Sequence, residues 1–515
     1  MPQAIPGNTP VIIGVAQFTE RSEGPRYEAL SPVAITARAA GLALADAGLA
    51  TAASQIDTVM TTRIFEDSAP VLEFPFGRSN NFPRSVCRQL GIAPETAIWA
   101  TVGGDTPQKL VTEACDRIAT GLSRAVLIAG GEALSTSKHL KKQGTSVDWS
   151  ETLDEPVEDR GALIDVLTHD EIANGLISPP LFYGFIENAR RIAAGKSQQA
   201  WLQDMGALFA PLSAVAADNP LAARHERAYS AEELVTPGPD NRLIASPYTQ
   251  RLVARDQVNQ SAALVVVASD LADELAVPPE SRIYLHGQAA AGEMPVSLRP
   301  DIGEAPSAGL ALSKALERAM CQCDDITFFD FYSCFPVAVS NAIESLGLAP
   351  EDPRGLTVTG GLPYFGGPGN SYSMHALAEM VSRLRAHPGS RGLVAANGGF
   401  LSKYAVGVYS TTPTSHQPCD STELDAQMAG QNDVVVDPTA EGSGAIEAYT
   451  VAYDRESQPK VATIAGRLEH SGLRFLASVG QEDPETLAAV IDADPGGRIV
   501  TVAPGERGGQ FRFLS

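Results

Sequence analysis

Residues 102–133 read VGGDTPQKLVTEACDRIATGLSRAVLIAGGEA, and residues 365–400 read FGGPGNSYSMHALAEMVSRLRAHPGSRGLVAANGGF. Both stretches run through the same order of events. A glycine pair, Gly103-Gly104 or Gly366-Gly367, opens each unit. Runs with helical spacing of apolar residues follow, from about Pro107 to Gly121 and from about Tyr372 to His387. Each then gives way to a short apolar run, Ala125–Ala129 or Gly392–Ala396, and a closing pair, Gly130-Gly131 or Gly398-Gly399. A short apolar run bounded by glycines reads as a buried strand. Upstream of each unit lies a second match. Helix Ala34–Ala47 with strand Ile56–Thr62 corresponds to helix Gly309–Met320 with strand Ile326–Tyr332. Repetition on this scale points to a duplicated fold built from βαβ-rich halves.

Outward from the repeats, Val11–Gln17 reads as a further buried strand, and an alanine-rich helix starts at Pro32 and stops at Gly48. Between the halves, residues 134–243 break the pattern. Trp149, an acidic stretch from Asp154 to Asp159, the run Pro179-Pro180-Leu181-Phe182-Tyr183-Gly184 and a Pro-Gly-Pro turn at 237–239 mark an inserted loop domain, too long for a plain connection. After Tyr409 the chain becomes turn-rich. Five short strand-like segments then follow, 446–453, 460–465, 473–477, 498–503 and 510–513, with one helix at 483–491. They suggest a small antiparallel β-barrel. The expected units are residues 1–133 continuing at 244–275, a loop domain at 134–243, a second half at 276–412 and a barrel at 425–515.

The 515 residues are 44% hydrophobic and 19% charged, which suits a chain with a large core. With 38 basic against 61 acidic residues the net charge is −23, which argues against nucleic acid or an anionic membrane as a partner. The start carries no basic, apolar leader and no run is long enough to cross a bilayer, so a cytoplasmic protein is expected. Six cysteines are too few for a disulfide framework. Cys321 and Cys323 lack the spacing and histidine companions of a metal site, and no metal is expected.

Residues 8–412 resemble the thiolase superfamily, and its sterol-carrier-protein branch in particular. The likeness rests on Ser333-Cys334-Phe335, Gly360-Gly361, Gly366-Gly367-Pro368 and Asn397-Gly398-Gly399 in that order. The C-terminal segments Gly444–Val451 and Arg474–Ala477 resemble the extra barrel of thiolase-like proteins of type 1. The resemblance implies an α/β, duplicated five-layer fold. It also implies a coenzyme A thioester as ligand, no covalently bound cofactor and an acetyl-CoA acetyltransferase ancestry in lipid metabolism. Ordinary members dimerise through a sheet edge near the nucleophile; the type 1 group resembles a monomer, which is favoured here over a homodimer.

The family's catalytic residues do not carry over. Its nucleophilic cysteine falls at Gly103, or at Val102 if the match slips by one residue. The histidine of its Gly-His-Pro motif falls at Gly367, its second cysteine at Ala396, and its oxyanion asparagine or histidine at Tyr332. Thioester exchange needs a thiolate, a base to make it and a second acid/base. Ordinary thiolase activity is therefore not expected.

Tyr332 is left as the catalytic candidate, since a tyrosine can move a proton near an oxyanion. Thiolase-like aldolases also lack the cysteines, use tyrosines and work with an OB-fold partner, for which the fused barrel is a possible counterpart. The competing reading of Tyr332 is an aromatic that fills the pocket and closes the site. Gly103, Gly104, Gly367, Asn370, His375, Asn397 and Gly398 are the candidate substrate contacts. Against that stand ordinary turn chemistry for the glycines and asparagines and a core position for His375. Asp105 and Thr106 read as helix caps, and Cys115 and Cys334 as packing. The expected function is therefore to act on or bind an acyl-CoA-type thioester, with carbon–carbon bond or acyl-transfer chemistry that dispenses with the usual cysteines and is aldolase-like if catalytic. The alternative is a non-catalytic binding or scaffold protein on the same fold.

Overall fold

The apolar run of the first repeat forms strand Ala125–Ala133, buried along its whole length in a six-stranded sheet. The computed structural model describes residues 5–49, 53–68, 72–162, 166–224, 227–418, 422–429, 434–505 and 508–513. On one side Ala125–Ala133 pairs antiparallel with Asn259–Ala268, which pairs antiparallel with Pro10–Thr19. On its other side come Thr58–Thr61 and then Thr96–Trp99, both parallel. The second sheet repeats this plan in the order Phe328–Phe331, Arg391–Gly398, Lys403–Ser410, Tyr284–Gly292, with the first pair parallel and the others antiparallel.

Helices Thr106–Ala119 and Tyr372–Ala386, the helices of the two repeats, pack on each other and on strands of both sheets. Helix Pro32–Asp46 covers the outer face of the first sheet and Pro306–Arg318 that of the second. The result is five layers, helix–sheet–helix–sheet–helix, as the duplicated pattern implies. Local chemistry agrees. Ser31 caps the first outer helix by accepting from the Ala34 N–H at 3.1 Å, with Pro32 at the first helical position. The expected elements all appear, most with ends shifted by one to four residues.

The C-terminal strands close into a five-stranded barrel in the order Gly442–Tyr453, Pro459–Leu468, Arg474–Gly480, Gly509–Phe513, Ile499–Pro504 and back to Gly442–Tyr453. Helix Pro484–Asp492 sits between the third and fourth strands in sequence. This is the connectivity of an OB-type barrel. The barrel is not wholly antiparallel: its third and fifth strands pair in parallel, Ala477 with Gly509 and Ser478 with Gln510. The helix crosses over before the last two strands form their hairpin, so one pairing must run parallel.

A strand pairing and a buried arginine are among the contacts that tie the barrel to the body. Strand Leu243–Ala245 of the inserted region pairs with the barrel at Ala245 and Ala452. The buried Arg474 guanidinium donates to the carbonyls of Ser297 (3.0 Å), Arg299 and Pro300 (3.1 Å) in the second half. No helix among the described residues is long and apolar enough to cross a membrane.

Candidate functional site

The first repeat's glycine pair leads into helix Thr106–Ala119, and the second repeat's helix lies against it, so the two repeats meet at residues 103–104. The Gly103 N–H donates to Asn370 Oδ1 at 3.0 Å, and Asn370 Nδ2 donates to the Arg63 carbonyl at 3.0 Å. Ser373 Oγ donates to the Gly104 carbonyl at 2.7 Å. Gly103 and Asn370, both candidate substrate contacts, thus satisfy each other across the junction.

Gly104, Tyr332, Asn397 and Gly398 converge beside that junction. A Cβ placed on Gly104 would lie 2.4 Å from the Tyr332 hydroxyl oxygen and 2.4 Å from the Asn397 carbonyl oxygen. Only glycine permits that approach. Tyr332 is partly buried, its ring set edge-on to Tyr372 at 5.5 Å. Its hydroxyl makes no hydrogen bond among the described residues. Burial, with the neighbouring Cys334 and Asp105 adding to it, holds this phenol well above its ordinary pKa, so it keeps its proton at neutral pH.

Asn397 Nδ2 donates to the Tyr183 hydroxyl at 2.9 Å and lies 3.7 Å from Cys334 Sγ, while Asn397 Oδ1 is buried with no partner among the described residues. Tyr183 arrives from the inserted region on helix Pro179–Ala193 and stacks on Phe335 with ring centroids 4.3 Å apart. Burial pushes the Cys334 thiol up to about 12, so it is not a thiolate nucleophile at neutral pH. Burial also raises Cys115, on the buried face of its helix. Arg299 holds the turn after Gly398: its Nη2 donates to the carbonyls of Phe400 (2.8 Å) and Leu401 (3.1 Å).

Gly367 and His375 sit apart from this convergence. The Gly367 N–H donates to the Arg255 carbonyl at 2.7 Å, and the neighbouring Gly366 faces the Gln260 side chain. His375 is fully buried, with Nδ1 2.9 Å from Gln17 Oε1 and its ring 5.3 Å from Phe365. Burial lowers its pKa to about 3, which keeps it neutral.

Sequence reasoning passed over two residues of the site. Asp105 follows the glycine pair directly, yet its side chain makes no capping hydrogen bond, so the cap reading fails. It is instead buried beside Gly103 and Gly398. Tyr183 lies in the Pro-Pro-Leu-Phe-Tyr-Gly run that marked the insertion as unusual, which was the one available signal.

Comparison with known proteins agrees with this architecture. Residues 423–507 match the family model for the thiolase-like protein type 1 additional C-terminal domain. No curated protein sequence matches the chain. The fold is shared with the dimeric peroxisomal thiolase of Saccharomyces cerevisiae at 15% identity and TM-score 0.58, over 79% of this chain and 98% of that one. It is also shared with the Ltp2-ChsH2(DUF35) aldolase at 21% identity and TM-score 0.56, over 79% and 98%. A monomeric SCP2-thiolase-like protein type 1 from Mycobacterium smegmatis is 39% identical, with a TM-score of 0.84, over 99% of this chain and 100% of that one. That likeness runs through both halves, the insertion and the barrel alike, and the chain belongs to the SCP2-thiolase-like protein type 1 family.

Proposed function

We propose that the protein binds an acyl-CoA-type thioester between its two repeats and makes or breaks a carbon–carbon bond there by an aldolase-like, cysteine-free route. The observation that carries this reading is the Tyr332 hydroxyl, protonated, without a hydrogen-bond partner among the described residues, and set against Gly104 and the Asn397 carbonyl. A phenol so placed can donate a proton to a carbon or oxygen on which charge develops. Two structures of the same fold support the substrate class: an aldolase, and the Acat5 thiolase from Ascaris suum solved with coenzyme A. Acyl transfer of the ordinary thiolase kind finds no thiolate here, since Gly103 and Ala396 stand where the cysteines would.

A second reading, a binding protein without turnover, draws on the junction itself. The Gly103 N–H, which could serve a thioester oxygen, is already used by Asn370. Incubation with 3-hydroxyacyl-CoA compounds separates the two, with release of the shortened acyl-CoA as the readout. Turnover that falls at least about a hundredfold in Tyr332→Phe, with binding retained, is the expected result. Saturable binding without product, unchanged by that substitution, would favour the binding protein; absence of both would remove the thioester from consideration.

A further inference from the structure

Asp105 is 1% exposed at the start of helix Thr106–Ala119, yet it caps nothing. Its Oδ2 pairs with Lys109 Nζ at 2.7 Å, one helical turn on, where the lysine is about half exposed. Its Oδ1 is buried and has no hydrogen-bond partner among the described residues. That oxygen points at two glycines: a Cβ on Gly103 would lie 2.3 Å from it, and a Cβ on Gly398 2.2 Å. The Tyr332 hydroxyl is set against the next glycine, 2.4 Å from where a Cβ on Gly104 would lie. Among the described residues, an unpartnered carboxylate oxygen and an unpartnered phenol therefore lie against adjacent glycines, Gly103 and Gly104.

Packing alone does not account for an acid at this position. A helix ion pair to a half-exposed lysine contributes little to folding. A buried acceptor left unsatisfied costs more than such a pair returns, the more so when charged. The balance is unfavourable to folding, which is what a group kept for chemistry looks like.

We propose that Asp105 is a second catalytic residue: the base that takes the 3-hydroxyl proton of a 3-hydroxyacyl thioester. The assignment rests on the thioester reading above. As the Asp105 carboxylate accepts that proton, the O–H electron pair becomes the C3=O bond and the C2–C3 bond breaks. The released pair forms the thioester enolate, and C2 takes its proton from the Tyr332 hydroxyl. The products are a carbonyl compound and a shortened acyl thioester. One proton has moved from Tyr332 to Asp105 and returns through solvent, so no oxidant, reductant or metal is consumed. Lys109 on the same helix and Lys403 at the start of strand Lys403–Ser410 are the cations whose charges act beside the carboxylate.

The test is steady-state turnover of a 3-hydroxyacyl-CoA series by the full chain, by Asp105→Asn and by Asp105→Ala, each checked for folding by circular dichroism. In Asp105→Asn, kcat is expected to fall at least about a hundredfold while KM moves only a few-fold. Formate, small enough for the space vacated in Asp105→Ala, is expected to restore part of that turnover. A purely structural aspartate would show no such rescue. Wild-type turnover that survives in a folded Asp105→Asn, or a folded Asp105→Ala that formate does not rescue, would overturn the assignment and leave the thioester reading standing. No turnover by the wild type would overturn both.

Discussion

Glu187, on the helix that brings Tyr183 to the site, is enclosed by the core and accepts from Tyr248 Oη and Trp201 Nε1, each at 2.7 Å. Burial raises its pKa from 4.5 to about 7, more than these two donors lower it. The folded protein therefore holds a proton that the unfolded chain releases between pH 4.5 and 7. The contribution is fully present below 4.5 and is lost as pH rises through about 7. Glu187→Gln removes this dependence, since the amide can accept from Trp201 and donate to the tyrosine oxygen. Denaturant titrations at pH 5 and pH 8 are expected to show the variant gaining on the wild type at pH 8, by on the order of 2–3 kcal/mol. An unchanged difference between the two pH values would mean that Glu187 is ionised in the folded protein. Single residues were also the hardest part of the sequence to read. Asp105 looks like any helix-start acid until its oxygen is seen facing two glycines, because capping and pocket-facing aspartates share the same sequence neighbourhood. Asn370 shows the opposite limit: a polar turn residue, but one whose hydrogen bonds close the junction between the repeats.

At the scale of elements, helix Pro179–Ala193 joins the site to the barrel. Tyr183 reaches Asn397 from one part of it. Asn188 Nδ2 donates to the Tyr449 carbonyl at 3.2 Å, and Arg191 makes two 2.6 Å contacts with Asp494, both on the barrel. The opposite attachment is Arg474, whose guanidinium also pairs with Glu447 at 3.2 Å. Arg474→Met would leave three carbonyls without this donor in a buried interface, while Glu447 keeps its 2.8 Å contact with Arg467. It is expected to cost about 2–4 kcal/mol, read as a lower denaturant midpoint, with faster hydrogen exchange in strand Arg474–Gly480. Exchange confined to its previous rate would show that strand Leu243–Ala245 and Arg191 hold the barrel by themselves. The strands of the barrel were legible from their alternation and turn residues. Their order was not, because the parallel partnership of Arg474–Gly480 with Gly509–Phe513 depends on a helical crossover that leaves no mark on either strand.

For the whole molecule, the duplication was legible because each repeat must bury one helix between two sheets, and that demand imposes the same glycine–helix–strand order twice. What the repeats do not foretell is how the free edge of the first sheet is managed. Strand Thr96–Trp99 is met there by Glu158–Asp159 of the insertion, with Ile98 opposite Glu158 and Trp99 opposite Asp159. Arg63 pairs with Asp159 and lies 4.0 Å over the Trp99 ring, and Arg160 grips Glu113 through contacts of 2.6 and 2.7 Å. A cover of this kind blunts the edge as a template for a second chain. Light scattering is expected to find the wild type as one chain at all concentrations. Replacing Glu158, Asp159 and Arg160 together by glycine is expected to bring on concentration-dependent association. A variant that stays monomeric would show that another part of the surface prevents pairing.

The position of Asn259–Ala268 in the first sheet sets the order in which the protein can be built. It is the strand that joins Pro10–Thr19 to Ala125–Ala133, yet it follows them in the chain, beyond the whole insertion. At a synthesis rate of 5–20 residues per second, roughly 6–25 s separate the completion of Ala133 from the arrival of Asn259. During that interval two apolar strands wait with unpaired edges, and the contacts that would satisfy them span a large sequence distance. The rate at which the cell obtains this protein is then governed less by how stable the finished fold is than by what shelters a half-made sheet while the insertion is being translated.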